Sequence, residues 1–317
     1  MAKILIIGGG VAGLSAGIYA QLKGYDATIC ERHTKIGGNL TGWDREGYHI
    51  DNCIHWLTGT NPATKLYEMW STLGVFKDTK IYQGNVLYSC KYENESLSLS
   101  KDLYKLRADM LRISPMDKDE INSLILAIEI MQGINKIRGI NHNEGLSPYH
   151  MAIAIPLLTK YYSLTTKELS LRFVSPLLQS FITSFWGDNF GSLALIMVFA
   201  HFCGENGGIP RGGSCAMAKN MERRFSSLGG KILLSKEATK INHKDGHVYS
   251  VSFKDGDEIK CDYAIACCDP TLTFNKLLKL PMPKQLLKMY ENKRLLRFSS
   301  YHCAFACDMP SFEKFFS

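Results

Sequence analysis

Near its start the chain sets Lys3 to Ile7 as a β-favouring segment that is apolar without a break after its lysine, with no polar alternation. Such a run predicts a central parallel strand covered on both faces rather than one with a wet side. Glycines follow at once. Val11 to Lys23 then sets its apolar residues at helical spacing and stops at Gly24. Ala27 to Cys30 reads as a second strand, so strand, helix and strand succeed one another in a little under thirty residues. That is the length of a β-α-β unit. Asn61 to Leu73 predicts a further helix.

Beyond about residue 81 the pattern changes. Gly84 to Ser100 predicts hairpin strands, and Lys101 to Arg112 and Asp117 to Lys136 predict helices, the second behind a Ser114-Pro115 start signal. Ser147 to Tyr162 and Leu169 to Phe185 read as helices that Pro156 and Pro176 kink or delimit. The first texture then returns. Gly207 to Gly213 reads as a loop and Ser214 to Ser227 as a helix stopped by Gly229-Gly230. Lys231 to Leu234 reads as a strand, Val248 to Phe253 and Glu258 to Cys261 as a hairpin, and Tyr263 to Cys267 as a buried strand. The pattern predicts an α/β fold: a Rossmann-like domain with a parallel central sheet, interrupted by an inserted helix-rich α+β domain. The expected boundaries are 1–80 and 205–275 for the first domain, 81–204 and 276–317 for the second.

Composition changes this picture little. With 317 residues, 45% hydrophobic and 21% charged, the chain has room for two modest domains of ordinary soluble type. The net charge of +7 is spread along the sequence, and its densest run, Lys288 to Arg297, is short. No basic stripe is interleaved with aromatics, which argues against nucleic acid. The charge leaves peripheral contact with a membrane open. None of the ten cysteines stands in a CxxC pair, so zinc-ribbon and thioredoxin readings fail, and no metal site is expected. The start carries no signal-peptide pattern, and the expectation is a cytoplasmic chain with reduced thiols. Ser192 to Cys203, the longest apolar helix candidate, is too short to span a bilayer.

Gly8-Gly9-Gly10-Val11-Ala12-Gly13 matches GxGxxG between a predicted strand and a predicted helix, the context that gives the motif weight. Gly8 permits the tight turn, Gly10 lets a pyrophosphate approach the backbone, and Gly13 lets helix and strand pack closely. The helix start offers N–H groups and a positive dipole end to phosphate. Glu31 ends the second strand, 18 residues after Gly13, where a carboxylate accepts hydrogen bonds from ribose hydroxyls. Arg32 is a counter-signal, since an arginine there can accept a 2′-phosphate, but the position of Glu31 argues against NADP. To this point the residues indicate a dinucleotide without saying which.

Glu31-Arg32-His33-Thr34-Lys35-Ile36-Gly37-Gly38-Asn39-Leu40 resembles the doublet-glycine signature of an FAD superfamily that includes amine oxidases and phytoene desaturases. Gly47 to Asp51 is similar to its short strand leading to the flavin edge, and Ile209 to Ser214 to its Pro-x-Gly-Gly loop. Leu228 to Ile241 resembles the strand that meets adenine, with the contact near Ala238, and Tyr263 to Pro270 the strand and turn beneath the cofactor. The resemblance covers most of the chain and is nearest to the phytoene desaturase-like branch. It implies FAD, with Gly8, Gly10, Val11, Ala12 and Gly13 at the pyrophosphate, Glu31 and Arg32 at the ribose, Gly37, Gly38, Asn39 and Leu40 leading towards the ring, and Ala238 at adenine. It implies hydride transfer at carbon–carbon bonds of a lipophilic isoprenoid, carotenoid-like or acyl substrate. Oxidation of an amine is the alternative within the superfamily. A non-catalytic lipid-binding or carrier module, as in the escort proteins of prenylated GTPases, or an inactive fragment, is the alternative outside catalysis.

Two departures stand out. Asn52-Cys53-Ile54-His55-Trp56 follows Asp51 where the branch usually has a glycine. The chain also ends at Ser317 while members of the branch are longer, so a C-terminally truncated member is expected. No catalytic residue is identified. His49, Cys53, His55 and Trp56 fall near the expected ring position but read better as packed or hydrogen-bonded structural residues. Met151 to Leu158 and Leu193 to Phe202 read as core helices before they read as tunnel walls.

Overall fold

The structure, a computed structural model, describes residues 1–54, 56–140 and 148–292, without the side chains of 135–140 and 148–150. In chain order the first elements are β1 (Lys3–Ile7), α1 (Val11–Leu22), β2 (Asp26–Cys30), β3 (Gly42–Arg45), β4 (Tyr48–Asp51), β5 (Leu57–Thr58), α2 (Lys65–Thr72) and β6 (Ile81–Tyr82). A hairpin of β7 (Val86–Tyr92) and β8 (Glu95–Ser100) leads into α3 (Leu103–Ile113), α4 (Lys118–Ile140), α5 (Pro148–Tyr162), α6 (Thr166–Ser170), α7 (Pro176–Thr183) and α8 (Ser192–Cys203). Then come β9 (Gly207–Pro210), α9 (Gly213–Ser227), β10 (Lys231–Leu233), β11 (Ala238–Lys244), β12 (His247–Phe253), β13 (Glu258–Lys260), β14 (Tyr263–Ala266), α10 (Pro270–Leu272), a π-helical turn Thr273–Leu278, and α11 (Lys284–Glu291).

The described chain divides into two compact units. The first takes residues 1–54, 71–80 and 210–292. Its four-stranded parallel sheet has the order β10-β2-β1-β14, with Ile4 opposite Ala27 on one side and Tyr263 on the other. The absence of alternation in β1 is explained by its position, since Ile4 to Ile7 are all buried. Helix α9 packs against α1 with Met217, Ala218, Met221 and Phe225 on its buried stripe. A second sheet, antiparallel β11-β12-β13, shares a core with the first through Leu5, Ile7, Cys30, Ile241, Val251 and Phe253.

The second unit takes 56–70 and 81–209. Its core joins the β7–β8 hairpin to the helices through Leu97, Leu99, Met110, Leu124, Phe181 and Phe199. Tyr88 stacks on Phe181 at 4.9 Å between ring centroids, and its hydroxyl donates to the Phe181 carbonyl at 2.6 Å. Burial pushes that phenol well above its ordinary range. Helix α8 runs through this core, with Leu195, Ile196, Phe199 and Ala200 all but inaccessible.

Several expectations are corrected. Residues 207–213 are not all loop, because β9 pairs Gly207 and Gly208 with Thr58 and Leu57. Gly207 permits that strand because the Trp56 ring lies where a side chain would be. The helix expected over 169–185 is two. The Asp117 carboxylate accepts the N–H groups of Val174 and Ser175 in the break, and Ser175 caps α7 with Pro176 in its first turn. Asn61 delays α2, since its side chain accepts the Ala63 N–H in a turn before the helix. The π-helical turn at 273–278 had no visible signal. The unit boundaries also move. Residues 56–70 and 205–209 belong with the helical unit through the β5–β9 pairing. Residues 276–292 belong with the sheet unit, where Leu277 enters the core.

Candidate cofactor site

The first glycine loop leaves β1 at the carboxyl end of the parallel sheet, the end at which open α/β sheets hold ligands. The Gly8 N–H donates to the Cys30 carbonyl at 2.9 Å. Helix α1 begins with Gly10 as an extended N-cap, with no side-chain cap and no acidic residue in its first turn. Gly13 has no alternative there, since a Cβ on it would fall 1.9 Å from the Gly8 carbonyl oxygen. Gly10 and Val11 are half-buried and Ala12 is exposed, so this loop end is accessible. A Cβ at Gly10 would meet the Gly38 Cα and the Gly37 carbonyl oxygen at the ordinary contact distances of 3.7 and 3.8 Å. The loop therefore fits a pyrophosphate, which needs open backbone and N–H donors.

Glu31 is only 5% exposed. One carboxylate oxygen accepts the Gly9 N–H at 2.7 Å and the other accepts the His33 N–H at 2.9 Å. Its backbone N–H donates to Leu233, and its carbonyl accepts from Lys236 at 2.8 Å. Glu31 thus ties the glycine loop to the β10 end, and each carboxylate oxygen keeps further acceptor capacity for a hydroxyl. Ala238 begins β11 just beyond this tie, half-buried and paired with Phe253. Arg32 is exposed.

The glycine doublet closes on the first loop backbone to backbone. The Gly37 N–H donates to the Gly9 carbonyl at 2.9 Å, and Gly10 and Gly37 form a parallel bridge. Gly38 has φ +57°, and a Cβ on it would sit 3.0 Å from the Gly10 Cα. Leu40 is buried and its N–H returns to the Gly37 carbonyl, while Asn39 is exposed. The structure therefore brings together Gly8 to Gly13, Glu31, Gly37, Gly38 and Leu40. It reaches Ala238 only through the Glu31–Lys236 link, and it leaves Arg32 and Asn39 at the surface.

Sequence reasoning missed Asp51 and Ser214. Asp51 accepts the Ser214 N–H at 2.5 Å, the Ser214 hydroxyl at 2.6 Å, and the N–H groups of Cys53 and Ile54 at 2.9 and 3.2 Å. Burial pushes its carboxyl up, but the Ser214 hydroxyl and these three N–H donors outweigh that and hold it below the ordinary carboxylate range. The signal available was the pairing of a strand-ending Asp with a Gly-Gly-Ser helix start, and it is too common to single out alone.

The other candidates have structural surroundings. His49 Nδ1 lies 2.7 Å from an Asp44 oxygen on the exposed β3–β4 hairpin. Burial, then the Asp51 charge, pushes the Cys53 thiol up. Trp56 packs on Gly207 in the helical unit, and His55 lies outside the described residues. Leu193 to Phe202 supplies core packing, while Met151 and Ile155 on α5 are exposed. Burial, then Cys268, raises the Cys267 thiol, and both are free; Cys303 and Cys307 lie outside the described residues. Among the described residues no cluster could hold a metal, and no helix is long and apolar enough to cross a membrane.

Comparison with known proteins gives this geometry its context. Residues 11–295 match the family described as flavin containing amine oxidoreductase. The chain is 25% identical over 288 residues to the lycopene-forming phytoene desaturase of Pseudescherichia vulneris, covering 88% of this chain and 58% of that one. It is 22% identical over 308 residues to a 4,4′-diaponeurosporene oxygenase of Staphylococcus haemolyticus, covering 91% and 60%. It therefore spans about three fifths of the length of these relatives. A putrescine oxidase variant shares the fold at TM-score 0.61 and 17% identity, over 92% of this chain and 63% of that one. A Rab GDI of Plasmodium falciparum shares it at 0.52 and 12%, over 86% and 66%. The α/β fold and FAD as the cofactor follow from these matches. Since the family match extends over far more than half of its length, the chain belongs to the flavin-containing amine oxidoreductases.

Proposed function

We propose that this chain is the FAD-holding part of an oxidoreductase that moves a hydride to or from a carbon–carbon bond of a lipophilic, isoprenoid-type substrate. The observation that carries the cofactor part is the backbone bridge between Gly10 and Gly37 beside the buried Glu31 carboxylate. In this reading Gly8, Gly10, Val11, Ala12 and Gly13 hold the pyrophosphate with backbone N–H groups and the α1 dipole. Glu31 accepts from the ribose hydroxyls, with Arg32 at the rim. Gly37, Gly38, Asn39 and Leu40 follow the cofactor towards its ring, and Ala238 flanks adenine. The flavin supplies the redox chemistry, while the protein supplies position, shelter and field.

The substrate class rests on the relatives named for carotenoids. That unit is read as the substrate domain and the sheet unit as the FAD-binding domain. Peripheral contact with a membrane surface belongs to the same proposal, in keeping with the net charge of +7.

The test is the visible absorption spectrum of the purified chain before and after loading with FAD and removing the excess. Retained flavin bands are expected. A colourless protein that cannot be reloaded overturns the cofactor reading for this chain and favours a carrier. Native mass spectrometry of the loaded protein with a polyene and with a diamine then tests the substrate class. Retention of the diamine alone would favour amine oxidation.

A further inference from the structure

Helix α9 packs against the glycine doublet and against α1, the helix that opens on the first glycine loop. A Cβ added at Gly37 would lie 3.3 Å from the Ala218 Cβ, so the doublet rests directly on this helix. One and two turns further on, Met221 and Phe225 continue the same buried stripe, and Phe225 packs at Gly17 of α1, the helix that opens on the first glycine loop. Whatever fixes α9 along its axis therefore fixes the doublet relative to Gly10.

The start of α9 is fixed by one carboxylate. Asp51 is the last residue of β4, and its β-ladder partner is Gly42, two residues past Leu40. The Asn52 N–H donates back to the Thr41 carbonyl at 3.1 Å. The strand that continues the doublet segment is β3, and Asp51 ends the antiparallel strand β4 paired directly beside it. From there the carboxylate reaches across the sequence to Ser214, taking both its N–H and its hydroxyl. The Ser214 hydroxyl in turn accepts the Ile54 N–H at 3.0 Å, so the hydroxyl is used as donor and acceptor at once. The approach is close enough to dictate the neighbouring residue: a Cβ at Gly213 would fall 2.0 Å from an Asp51 oxygen, and Gly213 has φ +59°.

We propose that Asp51 is a positioning residue for the cofactor site: its carboxylate clamps the first turn of α9 to the end of β4, the strand paired with the one issuing from the doublet loop, and so holds Gly37 and Gly38 against Gly10. This rests on the FAD-binding reading above. All four groups that Asp51 accepts from are donors. An asparagine of nearly the same shape must turn an NH2 group towards Ser214 or towards Cys53 and Ile54, replacing an attraction by a donor–donor clash.

The test compares wild type, Asp51→Asn, Ser214→Ala and Glu31→Gln by FAD titration and by amide hydrogen exchange of the FAD-free proteins. Asp51→Asn is expected to raise the FAD dissociation constant at least tenfold. It is also expected to speed exchange at 37–41 and at the start of α9 while the β1 and β2 amides keep their protection. Ser214→Ala should show the same pattern more weakly. Glu31→Gln should weaken FAD without loosening the start of α9. The proposal is overturned if Asp51→Asn binds FAD within twofold of wild type, or if exchange rises equally over β1 and β2, which marks general destabilisation. Should Asp51→Asn fail to fold, Ser214→Ala is read by the same criteria. Should wild type bind no FAD, the cofactor reading fails, and the exchange pattern alone still decides whether Asp51 holds the doublet.

Discussion

The two units reach order by different means. In the sheet unit the decisive contacts are between backbone groups: Gly8 to Cys30, Gly9 to Gly37, Glu31 to Lys236. They exist because glycines let chains approach and because two carboxylates, Glu31 and Asp51, take up N–H groups that loops leave over. In the helical unit the decisive contacts are between large side chains, with Tyr88, Phe181 and Phe199 within 4.9 to 6.1 Å of one another by ring centroids. Backbone geometry of the first kind admits few substitutions, whereas an apolar core tolerates many that keep volume. A ligand site built on the first kind of contact is therefore readable residue by residue, and one lined by the second kind is not.

Substitutions sharpen this contrast. The largest effect is expected from Phe181→Ala, which empties the centre of the helical core. It should cost about 3–5 kcal/mol of that unit's stability, followed by chemical denaturation, and leave FAD affinity nearly unchanged. A comparable loss of FAD would mean that the two units act as one. Gly13→Ala is expected to be smaller in stability, about 1–3 kcal/mol by forced overpacking, but to abolish flavin retention. A Gly13→Ala protein that still holds FAD would show that α1 can shift away from Gly8 at little cost.

Acid should act on the sheet unit through Asp51. Its carboxyl is held below the ordinary range, so its contribution is fully present above about pH 4, where an unfolded aspartate ionises, and is lost as pH falls through the folded value. Wild type should accordingly show a loss of stability below about pH 4 that is reduced in Asp51→Asn, measured by thermal unfolding against pH. Identical acid limbs would remove the carboxylate from the acid response. The smallest effect is expected at His49→Ala. The His49–Asp44 pair is surface-exposed, and such pairs contribute about 1 kcal/mol at most. A marked change in FAD affinity on His49→Ala would instead move this histidine into the cofactor's surroundings.

Much of the fold was legible because it is local. Strand β1, helix α1 and strand β2 follow from an unalternated apolar run, a 3.6-residue period and the glycines between them. The hairpin β7–β8 and helices α3 and α4 follow in the same way. What was not legible depends on distant partners. Residues 207–210 look like a loop because glycines have low strand preference, yet Leu57 and Thr58, some 150 positions earlier, make them a strand. The break between α6 and α7 depends on Asp117, more than fifty positions away.

The same division runs through the site. The sequence alone determined that Gly8 to Gly13 end a strand and open a helix, that Glu31 closes the unit, and that Gly37-Gly38 repeats the glycine chemistry nearby, since each is a matter of spacing over a few residues. Only the tertiary structure decided that the doublet bridges to Gly10, that Glu31 spends both oxygens on backbone N–H groups, and that Asp51 meets Ser214 across 163 positions. The reason is physical: a hydrogen bond between distant residues is set by how helices and strands pack. A carboxylate in a sequence carries no mark of which buried donor will need it.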